Sequence, residues 1–214
     1  MSFFEFLRNS YPDVLKSVGQ HIQLVMISVL AGIVISIPLG IFLTRHKRLA
    51  GPVLAIAGTI QTVPGLVMLG FALLLFGIGL FPALVVLSLY AILPILRNTY
   101  TGIAEVESSL IEAARGIGMG NMQILFQVEL PLALSSIITG IRISAVYIVS
   151  WATLAGLIGA GGLGDMIWTG LSTYNTNYIL AGAIPSAILA FIISGLIGFL
   201  QRIITPRGLR RGRV

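Results

Sequence analysis

Five stretches of this chain, residues 22–44, 53–76, 81–96, 134–158 and 178–200, are apolar throughout and carry no charge except Arg142 in the fourth. Runs approaching 20 such residues fit a helix crossing a hydrocarbon layer of about 30 Å and fit little else. Composition agrees: 57% hydrophobic residues against 9% charged lies far outside the range of globular domains. The expected fold is therefore an all-α integral membrane protein with about five spanning helices in one domain over residues 1–214. Gly77-Ile78-Gly79-Leu80 reads as a tight turn between the second and third spans, and the third is the shortest. Pro38, Pro64, Pro94 and Pro185 fall inside the runs, where neighbouring helices must re-satisfy the carbonyls that proline frees, so kinks are expected there.

The formal net charge of +6 reports topology, because Lys and Arg cluster at the ends of apolar runs and form no basic face. Arg45, Lys47 and Arg48 lie between the first two spans. Arg97 and Arg115 border residues 98–131, and Arg202, Arg207, Arg210, Arg211 and Arg213 form the tail. Residues 159–177 contain no basic residue, and the amino-terminal segment balances Arg8 and Lys16 against Glu5 and Asp13. Short cytoplasmic loops carry the excess of Lys and Arg, which puts the N-terminus outside, the C-terminus inside, 98–131 in the cytoplasm and 159–177 outside. The first run ends in Arg45-His46-Lys47-Arg48 rather than at a small-residue cleavage site, so it reads as a retained span.

Several activities lose their basis. The absence of cysteine removes disulfides, thiolate metal sites and a cysteine nucleophile, and His21 and His46 are too far apart for a metal cluster. No cofactor and no metal site is expected. There is no G-x-x-x-x-G-K-[ST] phosphate loop, and no acid lies within an expected span to serve an ion-coupled carrier or a membrane enzyme. Gly159-Ala160-Gly161-Gly162-Leu163-Gly164 matches G-x-G-x-x-G, but it leaves a membrane span and has no acid about 20 positions on, so a dinucleotide site is discounted. It reads instead as a turn of positive φ, with Asp165 capping a short amphipathic helix through Met166, Ile167, Trp168 and Leu171 at the outer interface.

The polar island of residues 98–131 carries the most information. Ser109-Leu110-Ile111-Glu112 fits a capping box, Gly118 or Gly120 can supply a left-handed helix end, and Asn121 can cap a second helix bearing Met122, Ile124, Leu125 and Phe126. Glu112, Ala113, Ala114, Gly118, Leu130 and Pro131 stand at the spacing E-A-A-x-x-x-G-x9-I-x-L-P, with Val128 where Ile is usual. That segment resembles the cytoplasmic loop by which membrane subunits of binding-protein-dependent ABC importers grip their ATPase. Residues 152–165 and Gln61-Thr62-Val63-Pro64-Gly65 look like the permeases for quaternary-ammonium osmoprotectants, namely glycine betaine, carnitine and choline. Methionine permeases share the coupling loop and the Gly-rich turn.

The resemblance implies a permease fold with cytoplasmic coupling helices in a bacterial cytoplasmic membrane. It also implies a second permease copy or paralogue, cytoplasmic ATP-binding subunits, and a separate extracytoplasmic substrate-binding protein meeting the side of Gly161, Gly162, Gly164 and Asp165. No nucleic-acid partner is expected. On the fourth span, Ser144, Tyr147, Trp151 and Leu154 share one helix face, on which a cationic head group could rest; aromatic packing against a neighbouring helix explains the same face. Gln61 and Tyr90 carry the same two readings. Arg142 reads as snorkelling or carbonyl-paired rather than as a relay.

Overall fold

The computed structural model describes residues 2–204, and the tail arginines 207, 210, 211 and 213 lie outside them. Among the described residues nine α-helices follow one another: α1 (Phe3–Arg45), α2 (Lys47–Thr62), α3 (Gly65–Phe76), α4 (Leu80–Ala104), α5 (Ser108–Gly116), α6 (Asn121–Ile124), α7 (Leu130–Ala155), α8 (Leu163–Ser172) and α9 (Thr176–Ile204). A π-helical turn over Leu125–Glu129 joins α6 to α7, making one helical stretch from Asn121 to Ile158. Four helices are long and apolar enough to cross a membrane, and α2 with α3 adds a fifth span if that bent pair counts as one.

α4 forms the centre, packed between α1 and α7. Close approach depends on small residues: Gly32 and Gly40 of α1 face Ala91 and Thr99 of α4, while Gly140 of α7 sits over the Pro94 carbonyl. A Cβ at any of these glycines would come within 2.8 Å of its neighbour. Membrane helices gain nothing hydrophobic by leaving lipid for one another, so tight van der Waals contact must hold them. Leu24, Leu87, Ile148 and Ala152 fill the core so formed. Outward faces stay apolar, with Phe71, Leu74 and Leu75 exposed on α3 and Ile188, Phe191 and Phe199 on α9.

Two expectations of length are corrected. α1 begins at Phe3, long before Ile22, because Ser2 and Glu5 form a capping box and Phe6 is buried against Tyr178 and Met166. α4 runs on past Leu96 to Ala104, although with 25 residues it is still the shortest of the spanning helices. Helix continues through Pro38, Pro94 and Pro185, whereas Pro64 lies at a break.

At Pro64 the expected kink is a full break, and the second expected span becomes two helices bent by 91°. Val63 before Pro64 is extended, as the proline ring demands of its predecessor. Three side chains hold the corner. The Tyr90 hydroxyl donates to the Val63 carbonyl. Trp151 stacks on Tyr90 with ring centroids 4.9 Å apart, and fills the space that Gly65 leaves open. Gln61 Nε2 donates to the Tyr90 carbonyl at 3.1 Å. In a regular helix that carbonyl would accept from residue 94, which is proline and has no N–H, so Gln61 supplies the missing donor.

A Cβ at position 65 would fall 1.6 Å from the Trp151 ring. Gly65→Leu should therefore abolish recovery of monodisperse protein, and adding Trp151→Ala should restore part of it. Size-exclusion yield and thermal unfolding in detergent read the result, and a stable single variant would contradict the corner as described.

Candidate functional site

The segment after α4 leaves the bundle as a bent helical pair. α5 begins at Ser108, one residue before the expected capping box, with Glu107 at its N-cap. Ser109 Oγ donates to the Glu107 carboxylate at 2.7 Å, so the Ser109–Glu112 box does not form and Glu112 is left exposed. The carboxyl end is as expected: Gly118 has φ 87°, its N–H reaches the Arg115 carbonyl at 2.9 Å, and the Met119 N–H reaches Ala114 at 3.1 Å. These are the paired bonds of a left-handed glycine cap. α6 is capped at Gly120 rather than Asn121, and the Gly120 N–H donates to the Gln123 side chain at 2.8 Å.

Among the six motif residues, Glu112, Ala113 and Gly118 lie on the outer surface, Ala114 is buried, and Leu130 and Pro131 are half-buried at the foot of α7. Ile117 is 81% exposed and Met122 65%, which gives the outer surface apolar knobs beside the Glu112 carboxylate. These two are the barest large apolar side chains on the short polar segment between α4 and α7.

Glu129 at the end of the π-helical turn is only 2% exposed, and both its oxygens take N–H groups of Arg45, Nη1 at 2.9 Å and Nη2 in a closer contact. The fork-on-carboxylate geometry ties the last turn of α1 to the junction between the α5–α6 segment and α7. Sequence reading placed Arg45 among topology markers and left Glu129 unassigned. A carboxylate just ahead of an apolar run, matched by an arginine just behind another, was the signal available. A cavity of about 410 Å³ lies between this pair and the α5–α6 segment, lined by Arg115, Asn121, Met122 and Ile124 among others.

At the opposite end of α7 the Gly-rich turn has the positive φ expected, at Gly159, Gly161 and Gly162. Gly162 caps α8, not Asp165, which occupies the first turn. α8 is less peripheral than expected, with Leu163 and Met166 buried. Gly162 N–H donates to Gln20 of α1 at 3.1 Å, and Gly164 abuts the Thr153 carbonyl so closely that a Cβ would stand 2.1 Å from it. Trp168 Nε1 donates to that same carbonyl at 3.1 Å. Gly161, Gly162 and Gly164 thus pack within the subunit.

The pathway candidates separate. Gln61, Tyr90 and Trp151 form the corner described above, and Ser144 is fully buried with its hydroxyl on the Ala91 carbonyl at 3.1 Å. Tyr147 alone among these five is exposed, at 53%. Arg142, also exposed, donates from Nε to Ser194 Oγ at 3.0 Å.

Residues 24–209 match the family described as the binding-protein-dependent transport system inner membrane component. The chain belongs to this family. It is 45% identical over 96% of its length, and 94% of the relative's, to the glycine betaine/carnitine/choline transport system permease protein OpuCB of Bacillus subtilis (strain 168). The choline transport system permease OpuBB of the same strain is 45% identical over 97% of this chain and 95% of its own. The carnitine transport permease protein OpuCB of Listeria monocytogenes is 44% identical over the same shares. Among solved structures, a chain of the inward-facing MetNI methionine ABC transporter superposes with a TM-score of 0.81 at 27% identity, covering 90% of this chain and 96% of that one. The all-helical permease fold expected from the motif is therefore the fold found, and this permease is a membrane transport subunit.

In this permease the two halves of the Arg45–Glu129 pair are unequal. Removing Arg45 strands a buried carboxylate, whereas removing Glu129 frees an arginine that is 43% exposed and can turn to water. Arg45→Ala should thus lower the unfolding temperature more than Glu129→Gln, by up to about 3 kcal/mol of stability. Equal losses, or the reverse order, would contradict the assignment.

Proposed function

We propose that this chain is the membrane-spanning subunit of an ATP-driven importer for glycine betaine, carnitine and choline. Close relatives over nearly the full length are permeases for those solutes, and that observation carries the cargo. The ATP-hydrolysing subunits lie in the cytoplasm and take the surface of Glu112, Ala113 and Gly118, with Ile117 and Met122 beside it. The exposure of these residues on a segment outside the bundle supports that reading. Ala114, Leu130 and Pro131 act from behind, packing the coupling helices onto α7.

The remaining partners follow from the same assignment. A second permease copy or paralogue completes the pathway, and an extracytoplasmic binding protein delivers solute to the side of the Gly-rich turn, where Asp165 is the charged group on offer. Residues 1–214 act as one domain in a bacterial cytoplasmic membrane, with coupling loop 98–131 inside and 159–177 outside. Arg45, Lys47, Arg48 and Arg115 on one side, against no Lys or Arg in 159–177, support that orientation.

Two variants test the coupling surface. Glu112→Lys reverses its charge, and Gly118→Leu puts a bulky residue at φ 87°, at a backbone cost of about 1–2 kcal/mol. Each should abolish uptake of labelled betaine, carnitine and choline while membrane abundance stays near normal. Normal uptake by either would remove the loop from the mechanism. Uptake of methionine and none of the amines by the unaltered protein would keep the machine and overturn its cargo.

A further inference from the structure

Arg142 interrupts the apolar run of α7, and in the folded chain its guanidinium is exposed beside α9. Gly198 provides the space, its Cβ position lying 3.3 Å from Arg142 Nη1, and Ser194 Oγ accepts from Nε at 3.0 Å. Guanidinium carries five N–H donors in a rigid fork. The two terminal nitrogens, which make the bidentate face, have no hydrogen-bond partner and no acid within ion-pair reach among the described residues. Ser194 and Gly198 stand roughly two turns and one turn before Arg202, so the group sits within the apolar stretch of α9 rather than past its end.

Charged groups at that depth face a water-filled route or a partner, because facing lipid is costly. The surroundings favour water. The exposed faces of α3 and α9 are aliphatic and aromatic, whereas the exposed arc of α7 between them carries Arg142, Tyr147 and Ser150 alongside Ile143. Polar residues gathered around a charged group on one helix face mark a surface turned to solute rather than to lipid. An unopposed fork on that surface recognises a carboxylate and repels a plain cation.

We infer that Arg142 is a specificity-determining residue of the pathway, binding the carboxylate of zwitterionic cargo in transit. This rests on the osmoprotectant reading above. Of its three solutes, betaine and carnitine carry a carboxylate and choline does not, so the arginine sorts the cargo into two classes. Ser194 and the notch at Gly198 aim the fork.

The test is uptake of the three labelled amines into liposomes holding the permease with its ATPase and binding protein, for the unaltered chain, Arg142→Gln and Arg142→Lys. Arg142→Gln should cut betaine and carnitine uptake about tenfold or more, as loss of a charge-assisted bond implies, while choline uptake holds or rises. Arg142→Lys, which keeps the charge, should recover much of the lost betaine uptake. Retained choline transport in Arg142→Gln shows that the variant is folded and assembled. Equal loss of all three solutes, as a contact to lipid or to a second copy would give, overturns the assignment, and so does no loss of any. If Arg142→Gln does not assemble, Arg142→Lys decides: betaine uptake depressed no more than choline uptake counts against the carboxylate role. If the unaltered system carries choline alone, the arginine role fails; if it carries none of the three, the cargo reading itself fails and this role with it.

Discussion

A backbone carbonyl that a proline frees within a membrane span needs another donor, and the corner between α2 and α3 is arranged around that need. Pro94 leaves the Tyr90 carbonyl open in the central helix, and the Gln61 amide reaches it from α2. The same tyrosine returns a bond through its hydroxyl to Val63, which Pro64 has pulled out of helix. The two prolines are thus answered by one reciprocal pair, and the bend of 91° between α2 and α3 is the geometric result. Unanswered, each buried polar group would cost several kcal/mol in an apolar surround, roughly 2–7 by transfer measurements.

A second constraint acts where the bundle meets its coupling segment. A π-helical turn is uncommon and shifts the register of the residues beyond it, so the side chains of α7 do not continue the face set by α6. Glu129 closes that turn and is clamped by Arg45 from the end of α1. The end of the α5–α6 segment is thereby fixed to α1 and α7 together. The cavity of about 410 Å³ between the pair and the coupling helices leaves those helices room to shift.

Helix number and the motif were legible because each rests on local sequence: the charge-free length of a span, and residues of one short loop at fixed spacing. Span boundaries were less legible. Residues 3–21 are polar enough to read as a lead, yet Phe6 and fully buried His21 pack into the fold through contacts far away in sequence, His21 Nε2 lying 3.1 Å from the Val149 carbonyl. The face of Ser144, Tyr147 and Trp151 was correctly periodic, but periodicity cannot say what a face meets. Trp151 meets Gly65, Ser144 meets Ala91, and Tyr147 meets open space. Asp165 and Asn121 were taken for caps by residue type, whereas glycines one to three residues earlier supply those turns. Glu129 was missed because its partner lies 84 residues away.

The central claim is that transport through this chain is driven by an ATPase gripping the coupling segment. It is tested most directly in liposomes containing the permease, its ATPase and its binding protein, with ionophores collapsing every ion gradient. The account requires labelled betaine, carnitine or choline to accumulate against its own gradient when ATP is present, and not when ATP is withheld. Accumulation that stops once the gradients are gone, with ATP still supplied, would contradict it.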